Sequence, residues 1–185
     1  DSPYAVIMED DCSLDLVRFW NFTWLDFYGL FPYDWDLVQI SIICTGDIHV
    51  KLHRRFVNDF STACYVINRH YAEKLVRFHC RDGKYKLDNG VKPRPVADDL
   101  IYNAGVSYAI PLLLYRTELG SSIHPEHVDV FHVKNFEAQS NYWQQMGATI
   151  DIREWMNYDP YLGRVTEPSQ QQPPPPTYEA ETPKD

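Results

Sequence analysis

Apolar residues in this chain fall into short unbroken runs separated by stretches of helical spacing. Tyr4 to Met8 (YAVIM) is such a run and leads straight into three acids. It predicts a buried strand whose C-terminal end delivers Glu9, Asp10 and Asp11. From Leu14 to Leu30 the apolar and aromatic positions recur at intervals of three and four, which predicts one helix ended by Gly29 and Pro32. Phe19, Trp20, Trp24, Phe27 and Tyr28 share its spacing, and core packing is the expected role for them rather than sugar stacking. Trp35 to Ile43 (WDLVQISII) predicts a second buried strand, and the polar, basic stretch from Thr45 to Asp59 a loop. Thr62 to Ile67 (TACYVI) predicts a third strand, after which Asn68 caps a helix through Ala72, Leu75, Val76 and Phe78. A turn-rich connection from Gly83 to Pro95, a short helix from Ala97 to Asn103 and a strand from Ser107 to Tyr115 follow. Strand followed directly by helix is the rhythm of an α/β domain.

This patterning fades beyond Asp159. Glu167 to Asp185 has almost no large apolar residue, three glutamines and a run of four prolines. Such a composition cannot offset its ordering entropy, so the expected organisation is one folded domain over 1–160 and a disordered Pro-rich tail over 161–185. Within the tail, Pro175-Pro176-Thr177-Tyr178 is a PPxY sequence, the form that the aromatic grooves of WW-domain proteins accept.

Composition narrows the function. A chain of 185 residues with 44% hydrophobic content suits a single domain with a genuine core. A formal charge of -9 argues against a nucleic-acid surface, and any phosphate bound here needs a cation beside it. Cys12, Cys44, Cys64 and Cys80 show no CxxC pairing; a reducing compartment fits best, with two disulfides as the alternative. The most apolar stretch, Ile101 to Tyr115, is interrupted by Asn103, Ser107 and Pro111 and is too short for a membrane span. No signal peptide is legible, which favours a cytoplasmic location, and a chain starting with Asp is expected to lack its true N-terminus.

Four groups of residues carry candidate chemistry. Glu9, Asp10 and Asp11 at a strand end are hard oxygen ligands suited to Mn²⁺ or Mg²⁺ bridging a diphosphate, although acidic clusters more often sit on solvated turns. Asp98 and Asp99 open a short helix, where a carboxylate either caps the helix or takes the proton of an attacking hydroxyl. Among the histidines His49, His53, His124, His127 and His132, the candidates for a metal role are His124 and His132, which follow the last strand. Lys51, Arg54 and Arg55 form a basic patch that could contact donor phosphates. Asn21-Phe22-Thr23 fits a glycosylation sequon but lies in the aromatic helix and is read as chance.

Taken together, AVIMEDD at Ala5 to Asp11, DWDLVQIS at Asp34 to Ser41, STACYVINRHYAEKLV at Ser61 to Val76 and PVADDLIYN at Pro95 to Asn103 resemble glycosyltransferase family 25. That family holds lipo-oligosaccharide and procollagen galactosyltransferases and viral relatives. The resemblance covers about residues 4 to 115. It implies a GT-A fold, a UDP-sugar donor (commonly UDP-galactose), a divalent metal, usually Mn²⁺, and a glycan or protein acceptor. It also implies that Glu9, Asp10 and Asp11 bind metal and diphosphate. A one-residue shift in the match places Asp98 in the role of base or donor-sugar contact, with Asp99 next. A GT-A domain sets its first strands ahead of the acidic triplet, so the expected fold is an α/β, GT-A-like domain lacking those strands. The expected activity is metal-assisted transfer of a hexose, galactose or glucose, to an acceptor hydroxyl. The alternatives are a non-catalytic remnant acting through the PPxY sequence and, less well matched, a metal hydrolase.

Overall fold

The computed structural model describes residues 2–43, 50–85, 96–115 and 131–158. The fold is mixed α/β. Its strands are β1 (Tyr4–Met8), β2 (Cys12–Ser13), β3 (Leu37–Ser41), β4 (His53–Arg54), β5 (Cys64–Asn68), β6 (Cys80–Arg81), β7 (Lys84–Tyr85) and β8 (Ser107–Tyr115). The helices are α1 (Trp24–Tyr28), α2 (Arg69–His79), α3 (Ala97–Tyr102), α4 (Val133–Met146) and α5 (Ile152–Met156). One sheet runs in the order β1-β5-β3-β8-β2, with β4 also pairing β8, and β6 and β7 form a separate hairpin. Among the described strands only β3 and β8 are parallel; the other pairs are antiparallel.

Alternation along the central strands divides the core between two faces. Val38, Ile40, Cys64, Val66, Tyr108, Ile110 and Leu112 pack with Phe27, Trp143, Trp155 and Met156 from α1, α4 and α5. Leu37 and Ile67 face the other way, against Tyr71 of α2 and Tyr102 of α3. Gln39, on that second face, is fully buried. Asn68 caps α2 as the sequence predicts, its side chain accepting from the Tyr71 N–H. Between α3 and β8 the backbone passes so close to α2 that a Cβ on Gly105 would stand 2.4 Å from the Tyr71 ring, so glycine is required there.

Three expectations from the sequence are corrected. β1 forms as predicted but is not buried: Val6, Ile7 and Met8 remain 42–49% exposed, because among the described residues only β5 flanks it. The stretch from Leu14 to Leu30 is not one helix. A 3₁₀ turn over Asp15–Phe19 is followed by a break and then by α1, which starts at Thr23 through a reciprocal capping box with Asp26. The basic stretch before Asp59 is not wholly loop, since β4 pairs with Tyr108 and Ala109 of β8. Residues 159–185, with the PPxY sequence, lie outside the described residues, as do Cys44, His49, His124 and His127. No helix among the described residues is long and apolar enough to cross a membrane.

Candidate functional site

Glu9, Asp10 and Asp11 occupy the tight turn between β1 and β2, closed by the Cys12 N–H donating to the Glu9 carbonyl at 3.2 Å. β1 and β2 stand at the two ends of the strand order, so this short turn joins the two sides of the sheet. It is tied there at both sides. The Glu9 N–H donates to the Ala63 carbonyl at 2.8 Å, and Cys12 pairs with Tyr115 at the end of β8. Beneath the turn, hydrogen bonding from Cys64 holds the buried Cys12 thiol below its ordinary value, while the same contact and burial push Cys64 up.

The acid turn and the start of α3 converge on two adjacent residues. Thr62 donates its hydroxyl to Glu9 Oε1 at 2.8 Å, and the Ser61 N–H donates to Asp98 Oδ1 at 2.6 Å. Ser61 has a φ of 106°, a region that non-glycine residues avoid at a cost of order 1–3 kcal/mol. Its surroundings hold it there. Its carbonyl accepts from Gln39 Nε2 and from the Tyr102 hydroxyl, both at 2.8 Å, and its hydroxyl accepts from the Ala63 N–H at 2.9 Å. Strained residues of this kind gather at functional sites.

Asp98 and Asp99 separate as adjacent helical positions must, about 100° apart. Asp98 keeps 22% of its side chain exposed beside Ser61, whereas Asp99 is fully buried. Arg55 lies 4.0 Å from Asp98 Oδ1 with only 2% of its own side chain exposed. Its guanidinium donates to Gln39 Oε1 at 3.2 Å and to the Asp59 carbonyl at 3.1 Å, and it covers the Tyr102 ring at 4.2 Å. The buried charge is therefore paired and hydrogen-bonded on several sides.

The three basic residues do not form one patch. Lys51 is exposed and reaches Glu154 at 3.9 Å; Arg54 reaches Asp34 at 4.0 Å and covers the Tyr108 ring; Arg55 is interior. Of the histidines, His132 stands at the N-terminus of α4. His53 belongs to a structural pair, its Nε2 3.3 Å from Asp59 Oδ2 and its Nδ1 2.8 Å from the Lys51 carbonyl. Burial pushes the His53 imidazole down, but the Asp59 bond and charge and the Lys51 carbonyl outweigh it, so its pKa is raised.

Asp11 Oδ1 bears on a metal. It is buried and has no hydrogen-bond partner among the described residues, a situation that a cation would relieve. Among those residues no three His, Cys, Asp or Glu side chains cluster closely enough to hold a metal alone. Mg²⁺-type sites commonly use one or two carboxylates with substrate phosphates and water, so the acid turn is compatible with that kind of site. Ser61, Thr62 and Gln39 escaped the sequence because nothing local marks them, and Arg55, read there as a phosphate contact, instead lies buried against Asp98 and Gln39. In comparisons with known protein families, curated proteins and solved structures, nothing matches this chain.

Proposed function

We propose that the protein is a metal-assisted glycosyltransferase that moves a hexose from a UDP-sugar to an acceptor hydroxyl. The observation that carries this reading is the convergence of the acid turn and Asp98 on the strained Ser61-Thr62 pair. Asp11, with Glu9 or Asp10, would hold Mn²⁺ or Mg²⁺, whose chemistry when bound is to neutralise the diphosphate of the donor. The chain's own side chains do the rest. Thr62 fixes the Glu9 carboxylate, and Ser61 and Arg55 fix Asp98, the carboxylate to which this reading gives the proton of an attacking hydroxyl. Asp99, buried, is assigned no part in proton transfer. Lys51, Arg54 and Arg55 reach separate partners, Glu154, Asp34 and Asp98, and make no common phosphate patch, so the scheme assigns them no part in holding the diphosphate.

Calorimetric titration of UDP with and without Mn²⁺ tests the proposal. Affinity should depend on Mn²⁺ in the native sequence and fall in Asp11→Ala. Equal affinity in both conditions, or none lost in Asp11→Ala, sinks the transferase reading and favours a non-catalytic remnant.

A further inference from the structure

At the opposite end of β3 and β8 from the acid turn, a cavity of about 460 Å³ opens among residues that the transferase scheme leaves unused. That volume lies within the range of small-molecule sites. We propose that this cavity, walled by Tyr33, Asp34, Arg54, Tyr108 and Tyr158, binds a neutral saccharide ring.

The chemistry of the walls selects this class of ligand. Asp34 and Arg54 face each other at 4.0 Å, the limit of an ion pair, so together they add no net charge. An anion meets the carboxylate and a cation meets the guanidinium. A ligand carrying neighbouring hydroxyls satisfies both, donating to Asp34 and accepting from Arg54. The pair is held in place from behind. The Tyr108 hydroxyl donates to Asp34 Oδ1 at 2.8 Å, and the Arg54 guanidinium lies 4.8 Å from the centre of the Tyr108 ring. Burial and the Asp34 bond push the Tyr108 phenol up, so it remains a donor at neutral pH. The Tyr158 ring meets Tyr108 edge-on at 5.2 Å.

Tyr33 supplies the apolar element. Its side chain is 100% exposed at the mouth of the cavity, directly after Pro32. An aromatic ring with no core to fill is available to stack on the C–H face of a sugar. In the neighbouring cavity of about 490 Å³ most of the polar side chains are already engaged. There Asp26 closes the capping box of α1, Asn21 donates to the carbonyls of Ala148 and Ile150, and Asp151 caps α5.

This site does not depend on the transferase reading. Saturation-transfer NMR on the full chain, with lactose, maltose and cellobiose as neutral probes and glucose 1-phosphate as the charged comparison, tests it. At least one neutral disaccharide should receive saturation, with affinity about tenfold weaker in Asp34→Asn, which loses one charged hydrogen-bond partner. The signal should vanish in Tyr33→Ala, whose melting temperature should match the native protein because Tyr33 is fully exposed and packs on none of the described residues. Asp11→Ala should bind normally. No transfer to any of the three disaccharides, a signal that survives Tyr33→Ala, or one lost in Asp11→Ala overturns the proposal. A preference for glucose 1-phosphate overturns it too, since the walls would then be selecting charge.

Discussion

Arg55 is a charge carried inside the protein, and its neighbours show why it is tolerated: Gln39, the Asp59 carbonyl, Asp98 and the Tyr102 face each take part of it. Removing the guanidinium takes the cation from beside Asp98 and the Arg55 donor from Gln39 Oε1. Arg55→Met should therefore cost about 3–5 kcal/mol, seen in urea unfolding, and a loss below about 1 kcal/mol would show the network to be incidental. Lysine should not rescue it, because a point charge cannot reach the same acceptors in one plane. The acids make separate demands. Under the proposed transfer, Asp98→Asn should lower turnover roughly 10² to 10⁴-fold with UDP affinity nearly intact, whereas Asp11→Asn should weaken UDP binding as well. Asp99→Asn should show itself in the melting temperature instead. Full transfer activity in Asp98→Asn would leave that carboxylate as a clamp for Ser61 and nothing more.

Elements whose character is set locally were legible in the sequence. β3 reads as an interior strand and is buried at every position, and Asn68 reads as a cap and serves as one. The break before α1 was written in Thr23 and Asp26, three residues apart, but the aromatic spacing across it suggested continuity. Burial of β1 was misread because burial belongs to neighbours, not to a strand's own composition. Nothing in the sequence could show Glu9 meeting Thr62 or Asp98 meeting Ser61, since those contacts join distant segments. At this scale the His53–Asp59 pair makes β4 sensitive to pH. The folded pKa of His53 is raised above the ordinary 6.5, so the pair's contribution is complete below that value and is lost as pH rises through the folded one. Unfolding free energies measured on both sides of pH 6.5 should fall towards alkaline pH. Asp59→Asn should flatten that slope, and an unchanged slope would exclude the pair as its source.

For the molecule as a whole, the edge of β1 is a liability, since among the described residues only β5 pairs with it. An apolar edge strand invites pairing with another chain, and charged side chains are the usual remedy. Sedimentation should show association growing with concentration, and Met8→Lys, at an exposed position, should suppress it without lowering the melting temperature. Identical sedimentation of the two proteins would mean that the edge is not used.

The way the acid turn is anchored also sets when it can exist. β2 anchors the turn by pairing with the end of β8, about a hundred residues later in the chain, and closing so long a loop is slow and entropically costly. During folding, β1, β5 and α2 can assemble early while Glu9, Asp10 and Asp11 still lack their far support. In the folded protein, two residues of β2 are a weak fastening, so the amides of Cys12 and Ser13 should exchange with solvent long before those of β3. The Asp11 end of the turn would then be set in place last as the chain folds and released first as it loosens.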